Sequence, residues 1–464
     1  MALNPSGAFG AISGMAGGRE ASVGLRRAVF LFLLIVVFKL HSMLPPLPRP
    51  ALLLAPFVLL MAWNQSSPAE RQLLSRNRML QGVVGYFAWG VLTIPTSVYR
   101  GQSFDVALGL VPLVLMVVAV SLLPAALRTV DLILMTMLTG GGLLGLGSLV
   151  YNNRTLGRLS APAMFDPNDL GAVMSATAPI ALGLLLRAKG WRRLVALMVL
   201  VICAWTLVQT SSRGSSIGFA VGILTVILAT GGARRAGGLA ILLVGGMIFM
   251  ANLPESYRER MANVGESDYN TTDYYGRMAV WRRGTGYALD NPLLGVGLGA
   301  FQTAEGNTLT EMGRPGRWMN AHNGYVQALA ELGFPGGLLY VSLIVGGIVV
   351  ALRHTSLARK RKPPPQDTRP EIAGAMMGLA VAGFFLSFAY FAMWYLLWAL
   401  ASLLSRIPVG RQVVATQTSA QPALRGAPMR PSGGWSPVPP PMQPVAQLPQ
   451  RVRRGGLRSS RHQA

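Results

Sequence analysis

The chain has 464 residues, of which 52% are hydrophobic and only 12% charged, with a formal net charge of +24. Soluble globular domains carry about a quarter charged residues, so the composition excludes a water-soluble globular fold and indicates a polytopic membrane protein. The basic excess does not indicate a nucleic-acid binder, because Lys and Arg fall in short clusters between apolar runs and in the tail, the pattern of membrane orientation.

Residues 1–25 are rich in Gly and Ala and are expected to form a disordered cytoplasmic start. Arg26-Arg27 then precede an apolar run over 28–44 that ends at Pro45-Pro46 without a small-residue cleavage site, which makes it a retained first span rather than a cleaved signal. Further apolar segments fall near 50–63, 79–99, 103–125, 130–150, 169–187, 193–210, 215–230, 237–253, 336–353, 371–388 and 389–405, the last two readable as one broken hairpin. The single cysteine, Cys203, lies inside one of these runs, where it makes neither an intrachain disulfide nor a metal site by itself. The expected fold is all-α, a transmembrane domain over 26–406 with about 12 spans and one long outward loop, 254–335, between spans nine and ten. The segment 407–464 contains Pro439-Pro440-Pro441 and the basic run Arg451-Val452-Arg453-Arg454, and is expected to be a disordered cytoplasmic tail.

Orientation follows from the positive-inside rule. With the N-terminus in the cytoplasm, the clusters Arg71, Arg76 and Arg78, then Arg128, Arg187, Lys189, Arg192 and Arg193, then Arg234 and Arg235, and Arg353 with Arg359 to Lys362 all fall inside. Three polar islands then face outward, which is the periplasm if the cell is Gram-negative.

Arg213, in Ser211-Ser212-Arg213-Gly214, sits between two apolar segments with almost no loop, where a lipid-facing guanidinium is costly and a water-filled cavity or an anion is its natural surrounding. The bland alternative is snorkelling to the outer headgroups. Arg277 follows Asn270-Thr271-Thr272-Asp273, a cluster of N-capping residues, and precedes a helical stretch ending at Asp290-Asn291-Pro292. It is therefore predicted in a helix first turn, where its charge adds to the positive helix end and favours phosphate. Trp281, four residues on, shares its face and is placed to pack against lipid or sugar. The 254–320 interval holds eight acidic and seven basic residues, so phosphate preference has to come from particular arginines. Of four histidines, only His322 stands in a polar cluster beside the outward loop, at the start of a helix running toward Gly333; it suits proton acceptance from a hydroxyl.

These pieces, together with Asn291-Pro292-Leu293-Leu294-Gly295-Val296-Gly297-Leu298-Gly299-Ala300-Phe301, Ala321-His322-Asn323-Gly324-Tyr325, Glu331-Leu332-Gly333 and Phe165-Asp166-Pro167-Asn168, resemble in order and spacing the O-antigen ligase and polymerase superfamily of bacterial membrane proteins. The resemblance covers about residues 160–340. It implies an inverting glycosyltransferase that needs no metal or other cofactor and moves a glycan from undecaprenyl diphosphate to a lipid A core or other saccharide hydroxyl on the periplasmic face of the inner membrane. By the same resemblance Arg213 and Arg277 hold the diphosphate, His322 activates the acceptor, and Asn168, Trp281, Asn323 and Glu331 are expected to contact substrate. The alternative within the superfamily is a polymerase. The alternatives outside it are a transporter of lipid-linked saccharide, which would place its polar residues near mid-membrane, and a metal-dependent glycosyltransferase, which needs an acidic pair that the outer loops do not offer.

Overall fold

The computed structural model describes residues 20–43, 50–161, 165–251, 253, 255, 257–258, 273–353, 355 and 367–407. The expected disordered start over 1–19, the tail from 408 onward, Asn270-Thr271-Thr272 and the basic cluster Arg359 to Lys362 lie outside them.

Helices account for most of the described chain. They are α1 (Val23–Val36), α2 (Pro50–Gln65), α3 (Pro68–Leu74), α4 (Arg78–Leu92), α5 (Arg100–Leu122), α6 (Leu127–Tyr151), α7 (Pro167–Arg187), α8 (Trp191–Thr210), α9 (Arg213–Ala229), α10 (Ala233–Ala251), α11 (Arg277–Asp290), α12 (Phe301–Glu311), α13 (Gly324–Leu352), α14 (Arg369–Ala382) and α15 (Ala392–Arg406). A two-residue hairpin, β1 (Arg154–Thr155) with β2 (Arg158–Leu159), joins α6 to α7. Five helices, α5, α6, α7, α8 and α13, are long and apolar enough to cross a bilayer, and α2 and α9 are shorter apolar helices. Each of the twelve predicted apolar segments coincides with a helix, but α1 begins at Val23, inside the stretch expected to be disordered, because Ser22 caps it by accepting the Leu25 amide. The predicted eleventh segment is also too long: α14 stops at Ala382, and 383–391 form an irregular turn before α15.

Among the described residues, members of the predicted basic clusters meet through ion pairs at the end of α7 and the start of α8. Arg187, at the end of α7, bonds Glu371 at the start of α14 and Asp131 at the start of α6, and Arg192 also reaches Asp131. Arg406 donates to the Leu123 carbonyl and Asn77 to Ser402.

The tightest seam is α9 against α14, and small residues make it. A Cβ on Gly218 would lie 2.5 Å from the Gly378 carbonyl oxygen, one on Gly222 2.9 Å from that of Gly374, and one on Gly214 2.5 Å from the Phe385 Cβ. Glycine every fourth residue lets the two backbones touch, the packing that membrane helices use where apolar burial offers no drive. The seam presses Arg213, at the head of α9, against the 383–391 turn.

α13 is broken at Gly333, whose φ of +66° and ψ of −173° only glycine adopts without strain. The break frees carbonyls that the glycine-rich 291–299 turn takes up: Val296 donates to Ala330, Gly297 to Glu331, and Phe334 donates back to Pro292. Gly297 is required there, since it has a φ of +107° and a Cβ would meet the Ser97 Oγ at 2.2 Å. The motif thus threads between the α13 break and the α4–α5 connection, where Val98 donates to Val296. A second apolar cluster, centred on Val280, Tyr287, Phe301 and Ala321, seats α11 and α12 on the outer half of α13.

Candidate active site

Four helix starts converge on one cavity. Asp166 caps α7 by accepting the amides of Asn168 and Asp169. Ser211, in the left-handed region with a φ of +48°, turns α8 into α9 within two residues and sets Arg213 at the first helical position. Arg277 likewise opens α11. His322 precedes Asn323, whose side chain caps α13 by accepting the amides of Tyr325 and Val326. The cavity, about 130 Å³, is lined by Arg158, Asn168, Arg213, Arg277, His322 and the 383–391 turn through Phe385 and Leu386. Helix N-termini and three guanidiniums give the cavity the charge and donors that suit an anion.

The first-turn position predicted for Arg277 is found, but its cap differs. Gly276 is the N-cap, and Asp273, the one described member of the predicted capping cluster, instead closes a turn by accepting the Tyr275 amide.

His322 is held by its backbone. Its φ of +47° is left-handed, a region tolerated by few non-glycine residues, and its amide donates to the Ser387 Oγ at 2.8 Å. The Gly324 amide donates to the Gly383 carbonyl at 2.8 Å, so the α14–α15 turn clamps the histidine loop to the bundle. Burial, followed by the positive charge of Arg277, pulls the imidazole pKa down to about 4, with Asp166 opposing and Arg158 adding to the shift. The ring is therefore neutral at ordinary pH, with one of its two nitrogens unprotonated.

Of the predicted contact residues, Asn168 joins His322 and the two arginines in the cavity wall. Trp281 does not line it; its indole donates to the Ala321 carbonyl at 2.9 Å and fixes the backbone one residue before His322. Asn323 is buried under its capping bonds. Glu331 does not line the cavity either; its carboxylate accepts the amides of Gly299 and Phe301 at 2.7 and 3.3 Å, pinning the glycine-rich turn to α13.

Arg158 was not predicted. It projects from β2, donates from Nε to the Thr210 carbonyl at 2.8 Å and from Nη2 to Asn168 Oδ1 at 2.6 Å, and so bridges the start of α7 and the end of α8. The only signal in the sequence was an arginine just ahead of Phe165-Asp166-Pro167-Asn168, between two spans. Among the described residues, no group of three or more His, Cys, Asp or Glu side chains is placed to hold a metal ion.

No curated protein sequence matches this chain. Residues 197–341 match the family model described as O-Antigen ligase. That segment runs from α8 into α13, contains Arg213, Arg277 and His322, and supports a likeness of this part of the chain to the O-antigen ligase-like superfamily.

Proposed function

We propose that this protein is an inverting membrane glycosyltransferase of the ligase type, with about twelve spans in the bacterial inner membrane and its cavity open to the periplasm. It transfers a glycan from undecaprenyl diphosphate to a lipid A core or another saccharide hydroxyl. The observation that carries this reading is the meeting of Arg158, Arg213 and Arg277 with a neutral His322 around one cavity at the heads of four helices. The superfamily match supports membrane glycan processing in general terms.

In the proposed reaction the acceptor oxygen attacks the anomeric carbon of the donor sugar from the face opposite the phosphate. Its proton passes to the unprotonated ring nitrogen of His322. The bond from the anomeric carbon to the phosphate oxygen breaks, and the electron pair leaves with the diphosphate. The planar guanidiniums bind phosphate oxygens in pairs and remain charged as the leaving group gains charge. One displacement inverts the configuration and needs no protein nucleophile. A bound diphosphate also offsets the fields of Arg277 and Arg158, which makes His322 a stronger base in the complex than in the free enzyme.

The test separates binding from chemistry. His322 acts mainly in the transition state, where general-base help is worth about 10²–10⁴ in rate. His322→Ala is expected to keep donor affinity and lose turnover, with His322→Asn as a control that tolerates the left-handed backbone. Arg158→Gln, Arg213→Ala and Arg277→Ala are expected to lose donor affinity as well, with lysine restoring it in part. Near-normal turnover in both histidine variants removes the base, and unchanged donor binding in all three arginine variants removes the clamp. Full-length lipid-linked polymer accumulating in a deletion strain marks a ligase, and accumulating single repeats mark the polymerase alternative. A transporter is the less favoured reading because the arginines and His322 gather at one end of the helices rather than midway along them.

A further inference from the structure

A second surface lies on the chain segment that leads to His322. α12 ends where Gly313 takes a φ of +67°, with the Gly313 amide on the Thr310 carbonyl and the Arg314 amide on the Leu309 carbonyl, both at 2.9 Å. This paired cap turns the chain sharply out of the helix and sends 314–320 across the outside of the α11–α12 unit back to His322.

Along this segment cations and rings alternate. The Arg314 guanidinium lies 4.3 Å from the centre of the Tyr274 ring, and that of Arg317 lies 4.3 Å from the centre of the Tyr275 ring. Trp318 is 66% exposed. Its indole nevertheless has a fixed seat, on Gly306 of α12, where a Cβ would stand 3.0 Å from the indole nitrogen.

The surface is also held from beneath. The buried Arg283 grips the Glu305 carboxylate through Nε and Nη2, and Nη2 also donates to the Tyr274 carbonyl at 2.9 Å. The Tyr287 hydroxyl completes the set on Glu305 at 2.9 Å. Tyr274 is thus tied to the interior of the unit while part of its ring faces solvent.

Rigid, exposed aromatic rings offer contact area at small entropic cost, and the ring-stacked guanidiniums offer planar forks for carboxylate or phosphate oxygens. Between Gly313 and Asn320 the only other large apolar side chain is Met319, which packs into the unit's own core, so no apolar stripe is present to enter hydrocarbon. We infer that Tyr274, Tyr275, Arg314, Arg317 and Trp318 form a binding face for an anionic saccharide, a sugar chain carrying carboxylate or phosphate groups, and that the segment guides it toward His322. This assignment rests on the reading of the cavity as a glycosyl-transfer site.

Binding to the purified full-length protein in detergent tests it without any turnover. The probes are tetragalacturonate, a mannose 6-phosphate oligosaccharide and neutral maltotetraose, followed by titration calorimetry. The wild type is expected to bind at least one acidic probe at least tenfold more tightly than the neutral one. The pair Arg314→Gln and Arg317→Gln should erase that preference, and Trp318→Ala should weaken all three probes. Met312→Ala, exposed on the same stretch but outside the face, serves as the control, and matched unfolding midpoints establish that the variants fold. The inference is overturned if acidic and neutral probes bind alike, if the variants bind as the wild type does, or if brominated lipids in nanodiscs quench the part of the emission lost in Trp318→Phe. Loss of probe binding in the face variants, alongside unimpaired transfer in His322→Ala, would leave this face standing and sink the base assigned to His322.

Discussion

Glu331 offers a sharp test, because its neighbours give it a structural role where its motif suggests substrate contact. The carboxylate is only 1% exposed and accepts the Gly299 amide at 2.7 Å and the Phe301 amide at 3.3 Å, with Gln327 Nε2 also at 3.3 Å. Truncation in Glu331→Ala strands two backbone donors, and each buried unsatisfied donor costs about 1–3 kcal/mol, so the sum is roughly 2–6 kcal/mol. That is a large share of the ~5–15 kcal/mol that holds a typical domain together. Glu331→Gln retains one acceptor oxygen and turns an amide toward the other donor, so about half the loss is expected. The assay is thermal unfolding in detergent, followed by donor binding at a temperature where each variant is fully folded. A lowered midpoint with donor affinity within about twofold of wild type is expected. An unchanged midpoint with donor affinity lost would refute the structural assignment and return Glu331 to the substrate.

Three further outcomes follow. The His322 imidazole, with its pKa pulled down to about 4, stays neutral above that pH; kcat/KM, which reports the free enzyme, should therefore hold well below pH 6 and fall only near 4, while the limb in kcat moves upward because the donor diphosphate favours the protonated ring. A free-enzyme limb at the ordinary histidine pH would contradict the burial and charge at this position. Gly218→Ala drives a Cβ to within 2.5 Å of the Gly378 carbonyl oxygen and should cost about 1–3 kcal/mol, whereas Gly246→Ala, with open space around it, should be neutral or stabilising by up to about 1 kcal/mol; equal unfolding midpoints for the two would mean that α9 and α14 do not meet at their backbones. Turnover of purified protein is expected to persist in EDTA, and activity lost to chelation and restored by Mg²⁺ or Mn²⁺ would favour a metal-assisted displacement.

Much of the architecture is legible because long apolar runs have few alternatives to helix. The place of Arg213 at the junction of two apolar segments, the first-turn position of Arg277, and the helix from His322 toward Gly333 also follow from local residue pattern. What escapes is what depends on distant partners. Arg158 sits on a two-residue hairpin too short to leave a periodic signal, and its role emerges only because Thr210 and Asn168 fold against it. Residues 383–391 are so apolar that they read as part of a span, yet Ser387 and Gly383 carry the bonds that place the histidine loop. The motif around Glu331 is visible in the sequence, but its bond to Gly299 spans 32 residues and changes what the motif is for.

The backbone contact between α9 and α14 has a mechanical consequence. Side-chain packing can yield by rotamer changes, but the carbonyls of Gly374 and Gly378 lie against glycine backbone with nothing to rotate. The two helices must therefore move as one strut, carrying Arg213 with them. The histidine side of the cavity is joined to that strut by two hydrogen bonds, from His322 to Ser387 and from Gly324 to Gly383. The seam thus ties the placements of Arg213 and His322 to one another through the 383–391 turn, so a change at the glycine contacts is felt on both sides of the cavity.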